Sequence, residues 1–280
     1  MKLGVITDCL KLPVDEAIEK AAELGFDGVQ IYATKGAFSP SSLDAAARAA
    51  YKKKLRDNGL EISALCGDMG GHGFQIAADN PARVAATKAI IDLASDLETS
   101  VVTTHIGVIP ADKNEARYGI MLDALTECGR YAKAHGVTLA IETGPETAKT
   151  LLSFILDTDG GVGVNLDPAN LAMVTDDDPV AAARLLGPHI VHTHLKDGIL
   201  LKKTDPKIIY DCFAVGGIEG LNVADYFREV PVGEGSVDFP NYLAALREVG
   251  FNGYLTIERE AGPDPIADVI KARDTIKKLL

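Results

Sequence analysis

Two rhythms alternate along the chain. Short runs rich in Val, Ile, Leu and Thr read as strands, and the longer segments between them carry apolar residues at the spacing of one helical face. Eight strands are expected: Leu3–Thr7, Gly28–Ile31, Leu60–Leu65, Ser100–His105, Val137–Glu142, Val162–Asp167, His189–His194 and Gly253–Glu258. Helices are expected at Val14–Leu24, Leu43–Asn58, Pro81–Leu97, Glu115–His135, Glu146–Leu156 and Pro265–Leu280. In ELGFDGV, DNGLEI, AHGVTLAI and LREVGFNGYLTI a glycine falls where a helix must end and the chain turn back, the usual place for a left-handed residue.

Eight such βα units with no break in composition predict a single α/β domain over residues 1–280, a (β/α)8 TIM barrel. A doubly wound sheet is the alternative, but no GxGxxG follows the first strand and no GxxxxGK[ST] occurs. The stretch 196–236, with GGIEG and PVGEG, carries no clear element apart from an apolar patch at Ala224–Val230 that reads as a short helix. A loop of this length is expected to be functional, often as a lid.

Composition narrows the partners. With 47% hydrophobic and 24% charged residues the chain reads as an ordinary globular protein, and a net charge of −12 argues against a nucleic-acid partner. The lysines at Lys52–Lys54 and Lys202–Lys207 read as solvated faces. Four scattered cysteines form no CxxC pair, which suits a reducing compartment. MKLGVITDCL lacks the apolar core of a signal peptide, and no run approaches eighteen apolar residues, so a cytoplasmic protein without a membrane partner is expected.

Barrel enzymes build their sites at the C-terminal ends of the strands. Strands five to eight end in Glu142, Asp167, His194 and Glu258. Each alone could be an ordinary strand-end residue, but together they form a ligand set for one divalent cation, with Mn²⁺ or Mg²⁺ ahead of Co²⁺ or Zn²⁺. Without a cation, three converging acids would repel one another and raise at least one pKa. In IVHTHLKDG, His192 and His194 share a strand face about 7 Å apart. His194 stands at the rim, His192 one layer deeper as a hydrogen-bonding support, and Lys196 forms a third rung. Further candidates for substrate contact are His105 at the end of VVTTHIG, His72 in the glycine-rich GDMGGHGF, and Asn170. Lys196 would meet a substrate oxyanion or phosphate, or else pair with Asp197 or another rim acid; Glu260 is a weaker candidate.

On AIETG, NLDPANL, HTHLKD and the closing PVGEGSVDFPNYLAALREVGFNGYLTIE, the chain resembles the xylose isomerase-like sugar isomerases and epimerases typified by D-tagatose 3-epimerase. The resemblance implies one metal, commonly Mn²⁺, on Glu142, Asp167, His194 and Glu258. It also implies that Glu142 and Glu258 are the catalytic acid and base, exchanging a proton beside a carbonyl through a metal-stabilised enediolate. Three sugar-contacting positions depart from the epimerase pattern: the histidine three beyond the Asp is Asn170, the glutamate six beyond the first Glu is Ala148, and the arginine after the HxH strand has no counterpart.

The expected activity is therefore isomerisation or epimerisation of a sugar, sugar phosphate or keto-sugar. The alternative is a dehydratase or lyase acting on a keto-inositol or 3-keto-glycoside. An endonuclease IV-like hydrolase is disfavoured by six histidines in all and the negative charge, and a non-catalytic sugar-binding protein by the intact ligand set. Association into a homo-oligomer is left open.

Overall fold

The structure, a computed structural model, describes residues 1–280. Its strands are β1 Lys2–Ile6, β2 Gly28–Tyr32, β3 Glu61–Cys66, β4 Val101–Thr104, β5 Thr138–Glu142, β6 Val162–Leu166, β7 Ile190–Leu195, β8 Asp197–Leu200, β9 Phe227–Val230 and β10 Tyr254–Ile257. The helices are α1 Val14–Glu23, α2 Ala45–Asp57, α3 Asn80–Asp96, α4 Ala116–Ala134, α5 Ala148–Asp157, α6 Pro168–Asn170, α7 Pro179–Leu186, α8 Pro206–Val215, α9 Phe239–Glu248 and α10 Pro265–Lys277.

Strands β1 to β7 run in sequence order around a closed barrel, and β10 fills the gap between β7 and β1. All eight pairings are parallel, so every C-terminal strand end faces the same rim. The outward residues of the strands pack under the helices: in β5, Leu139 and Ile141 join the main apolar core, whereas Ala140 belongs to a small interior cluster with Ala64 and Val101. Above that cluster the barrel interior is polar. Gln30, Thr103, Asn165 and His192 are buried there rather than the branched aliphatics that usually fill such barrels.

Several helices start on an Asp-Pro step. Asp178, Asp205 and Asp264 cap α7, α8 and α10 by accepting backbone N–H bonds, with proline in the first turn where its missing donor costs nothing. Asp167, ahead of Pro168, uses the same local chemistry at α6.

The stretch 196–236 is ordered rather than an open loop. Strands β8 and β9 form an antiparallel hairpin, with α8 inserted between them. The expected helix at Ala224–Val230 is instead a single 3-10 turn, Val223–Asp225, followed by β9. Pairing with β8 gives this segment's backbone groups partners that no local pattern could have announced. Buried Asp197 ties down the base of the insertion, accepting amide bonds from Gly198, Gly233 and Gly235 at 2.9 Å and from Val237 at 3.1 Å. Gly235 approaches so closely that an added Cβ would stand 2.1 Å from Asp197 Oδ1. All four cysteines are free and buried, and no helix is long and apolar enough to cross a membrane.

Candidate metal centre

Barrel closure brings Glu142 from the end of β5, Asp167 just beyond β6, His194 on β7 and Glu258 just beyond β10 to one point. One potential ligand atom from each lies within 4.8 Å of the others, and all four residues are buried. His194 Nδ1 stands 3.2 Å from Glu258 Oε2, 3.3 Å from Glu142 Oε1 and 3.8 Å from Asp167 Oδ2. Donors held at about 2.1 Å from one cation would stand about 3 to 4 Å apart, so the spacing suits a shared ion.

Asp167 divides its work between two oxygens. Oδ1 caps α6, accepting from the amides of Ala169 at 2.8 Å and Asn170 at 3.1 Å. Oδ2 is buried and has no hydrogen-bond partner at all. A buried carboxylate oxygen left without a partner is costly, and a bound cation would remove that cost. The donor set and this orphaned oxygen fit a divalent metal ion.

The electrostatics agree. Burial raises Asp167 to about 6, against the nearby His194 imidazole and the Lys196 charge. Burial also opposes ionisation of Glu142 and Glu258, yet both are lowered, Glu142 by the His194 and His105 charges and Glu258, well below the usual range, by Lys196 and His194. His194 is held well above an ordinary histidine despite burial, because Glu142 and Glu258 face it. The bare cluster thus makes its own cation from the imidazole, which must give up that proton to bind a metal.

The support beneath His194 is a residue that the sequence reading did not single out. Gln30 Oε1 lies 3.1 Å from His194 Nε2 and 2.9 Å from His192 Nε2, and Gln30 Nε2 donates to Thr103 Oγ1 at 3.1 Å. With Nε2 donating to Gln30, the Nδ1 lone pair of a neutral His194 faces the carboxylates. His192 lies one layer deeper, as its place in HTH predicts, and its pKa is pushed well down by burial and by His194. Asn165, two residues before Asp167 on the inward face, donates to Glu142 Oε2 at 3.1 Å.

A cavity of about 320 Å³ reaches the cluster through residues that touch it rather than through the four themselves. Of the expected substrate contacts, His105, Asn170 and Lys196 line it. Asn170 Nδ2 donates to Glu142 Oε1 at 3.3 Å, His105 Nε2 lies 3.6 Å from the same oxygen, and Lys196 bridges Glu258 at 3.0 Å and Glu260 at 2.5 Å. The paired acids of Lys196 are these two, while Asp197 serves the hairpin. His72 does not line the cavity. Its loop reaches the wall through Gly70, Gly71 and Gly73, while its imidazole turns outward to 4.0 Å from Asp211 on α8. Tyr210, on the inserted α8, also lines the cavity and was not anticipated, since nothing local marks its approach to Gly144. Glu146, which does not line the cavity, was not anticipated either: it is buried, its Oε2 has no partner, and burial raises it to about 8.

Comparison with known proteins decides the family. The profile of the xylose isomerase-like TIM barrel family matches residues 18–279. The chain belongs to that family. Among its characterised relatives, L-ribulose-5-phosphate 3-epimerase UlaE of Escherichia coli is 26% identical over 277 residues, covering 94% of this chain and 88% of that one. Inosose dehydratase of Clostridium beijerinckii is 27% identical over 175 residues, covering 59% and 55% of the two chains. Among solved structures, a xylose isomerase domain protein from Planctomyces limnophilus superposes with a TM-score of 0.80 at 26% identity, covering 99% of this chain and 96% of that one. An IOLI protein solved with a zinc atom has the same fold, with a TM-score of 0.73 at 18% identity and coverage of 100% and 96%.

Proposed function

We propose that this chain is a divalent-metal-dependent sugar epimerase or isomerase that moves a proton on a carbon next to a carbonyl. The observation that carries this reading is the buried cluster of Glu142, Asp167, His194 and Glu258, with its orphaned Asp167 oxygen, next to a cavity of sugar-binding size whose lining residues Asn170 and Lys196 bond Glu142 and Glu258. These four residues would hold the ion, with Mn²⁺ the first choice and Mg²⁺, Co²⁺ or Zn²⁺ as alternatives, in a protein acting as one folded unit in the reducing cytoplasm. When bound, the cation supplies charge that polarises the substrate carbonyl and acidifies the neighbouring C–H.

The chain's own residues do the rest. Glu142 and Glu258 are both ionised at neutral pH, so either can receive the proton. Return of a proton to the same carbon from the other face gives an epimer, and its return to the neighbouring carbon gives an isomer. Asn165 and Asn170 fix the Glu142 carboxylate through separate oxygens, and Lys196 fixes Glu258, so neither base has to be oriented during the reaction. The inserted hairpin and α8 supply one wall of the cavity, through Phe227 and Glu229 of β9 and Tyr210, Phe213 and Ala214 of α8.

Similarity to inosose dehydratase supports a second reading, loss of a β-substituent after the same proton abstraction. Incubation in D₂O with Mn²⁺ and a panel of free ketoses, ketose phosphates, keto-inositols and 3-keto-glycosides tests the proposal. Deuterium should appear at the carbon next to the carbonyl of at least one compound. Its absence from every compound bound by the metal-loaded protein would overturn the reading.

A further inference from the structure

The cavity wall says what kind of sugar it accepts, given the proton-transfer reading on which this inference rests. Two features of the wall point the same way, one of charge and one of shape.

Charge comes first. Lys196 is the one permanently cationic side chain lining the cavity, and its ammonium is committed to Glu258 and Glu260. Three carboxylates, Asp68, Glu229 and Glu260, line the same space. Arg259 is bound by Glu229 at 2.6 Å and Asp268 at 2.8 Å, and Lys203 and Lys207 pair with Asp176 and Asp211. The two backbone features that could cradle a phosphate each already face a carboxylate. In the glycine-rich loop the Gly70 amide donates to Asp68 Oδ1 at 2.8 Å, and the α6 N-terminus is capped by Asp167. Among the side chains lining the cavity, a phosphate dianion would meet three acids and no unpaired cation.

Shape comes second. An aromatic ladder leads away from the floor: His105 to Tyr210 at 5.8 Å between ring centroids, Tyr210 to Phe213 at 6.1 Å, and Phe213 to Phe227 at 6.4 Å, each edge to face. All four line the cavity, yet Phe213 remains 56% exposed at the far end. A large apolar side chain left open on a cavity wall marks a surface that a ligand covers. A monosaccharide held over the metal cluster covers only the inner rungs.

We infer that the substrate is an uncharged keto-sugar bearing an apolar substituent, such as an aryl keto-glycoside, with its carbonyl at the floor and its substituent along Tyr210, Phe213 and Phe227.

The test uses the Mn²⁺-loaded full chain and three probes: a phenyl 3-keto-glucoside, free 3-keto-glucose and ribulose 5-phosphate. Binding is measured by calorimetry and proton exchange in D₂O by mass spectrometry. The phenyl glycoside should bind about 10-fold or more tightly than the free keto-sugar and about 100-fold more tightly than the phosphate. Phe213→Ala, at an exposed position, should erase the advantage of the phenyl group and leave the free keto-sugar unchanged. Glu260→Gln should narrow the gap to the phosphate by releasing one Lys196 donor. Preference for the phosphate, or no effect of Phe213→Ala, overturns this inference and leaves the proton-transfer proposal standing. Tight, Phe213-dependent binding of the phenyl glycoside with deuterium entering no compound that the protein binds overturns the proton-transfer proposal and with it the glycoside's role as substrate, and binding of none of the three overturns this inference.

Discussion

Gln30 and His194 are joined through the barrel interior by a hydrogen bond of 3.1 Å from the imidazole Nε2 to the amide oxygen. They lie 164 positions apart, on strands β2 and β7 that do not pair with each other. The bond points Nδ1 at three carboxylates. Replacing Gln30 by Leu removes this restraint and leaves two buried imidazoles short of an acceptor. The expected result is a 10- to 100-fold weaker Mn²⁺ affinity, of the order seen when outer partners of metal ligands are removed, with the circular dichroism spectrum retained. Calorimetric titration measures it, and unchanged affinity would mean that Gln30 does not orient the ligand.

Metal binding must displace protons. His194 is held well above its ordinary range by Glu142 and Glu258, and Asp167 is raised to about 6 by burial. Both favour the protonated form, so protons compete with the ion, and affinity should rise by roughly tenfold per pH unit for each proton released. Titration with Mn²⁺ between about pH 5.5 and 7.5 checks the slope. A flat profile would show that neither group is a ligand.

At saturating Mn²⁺, Glu258→Gln should lower substrate deuterium exchange by about 10²- to 10⁴-fold, the usual range for a lost general base. Metal content must be measured alongside, because the same substitution weakens a ligand. Full exchange in metal-loaded Glu258→Gln protein removes Glu258 from the proton transfer.

Glu146 supplies a stability signature independent of the reaction. Its folded pKa, about 8, lies above the unfolded value, so the folded state holds its proton to higher pH. Its contribution is complete below the unfolded pKa and is lost as pH rises through about 8. Glu146→Gln keeps a neutral side chain at every pH and should therefore gain stability relative to the parent between pH 5 and 9, by on the order of a few kcal/mol. Urea denaturation at the two pH values reads the difference, and a gain independent of pH contradicts the assignment.

The insertion between β7 and the following helix depends on Asp197. Asp197→Ala leaves the amides of Gly198, Gly233, Gly235 and Val237 without their acceptor, at a cost of about 2–4 kcal/mol. Hydrogen exchange should then rise first in the 196–236 segment, ahead of the barrel strands. Uniform exchange across the chain would show that Asp197 supports the whole barrel equally.

How legible the molecule is in its sequence varies with the range of the interactions. The eight barrel strands and the four clustered residues are legible because both signals are local: an apolar run with a polar residue at its C-terminal end. Asp167 is marked further by the Asp-Pro step it shares with Asp178, Asp205 and Asp264, although nothing local sets it apart from those ordinary helix caps. Its difference, an oxygen buried without a partner, is a property of the closed barrel. Gln30 and Asn165 leave a fainter trace, polar residues on the inward face of otherwise apolar strands. The hairpin of β8 and β9 leaves less, because its pairing partners are separated by the whole of α8.

By itself, the sequence determined the barrel class, the rim on which chemistry collects, and which imidazole of HTH stands at that rim, since these follow from periodicities of two and 3.6 residues. Only the tertiary structure decided that Gln30 aims His194, that Lys196 is consumed by Glu258 and Glu260, that His72 faces away from the cavity, and that Tyr210, Phe213 and Phe227 form its wall. Each is a contact between distant segments, set by how β-strands close and how an insertion folds over them. Such contacts carry no periodic signature in the chain.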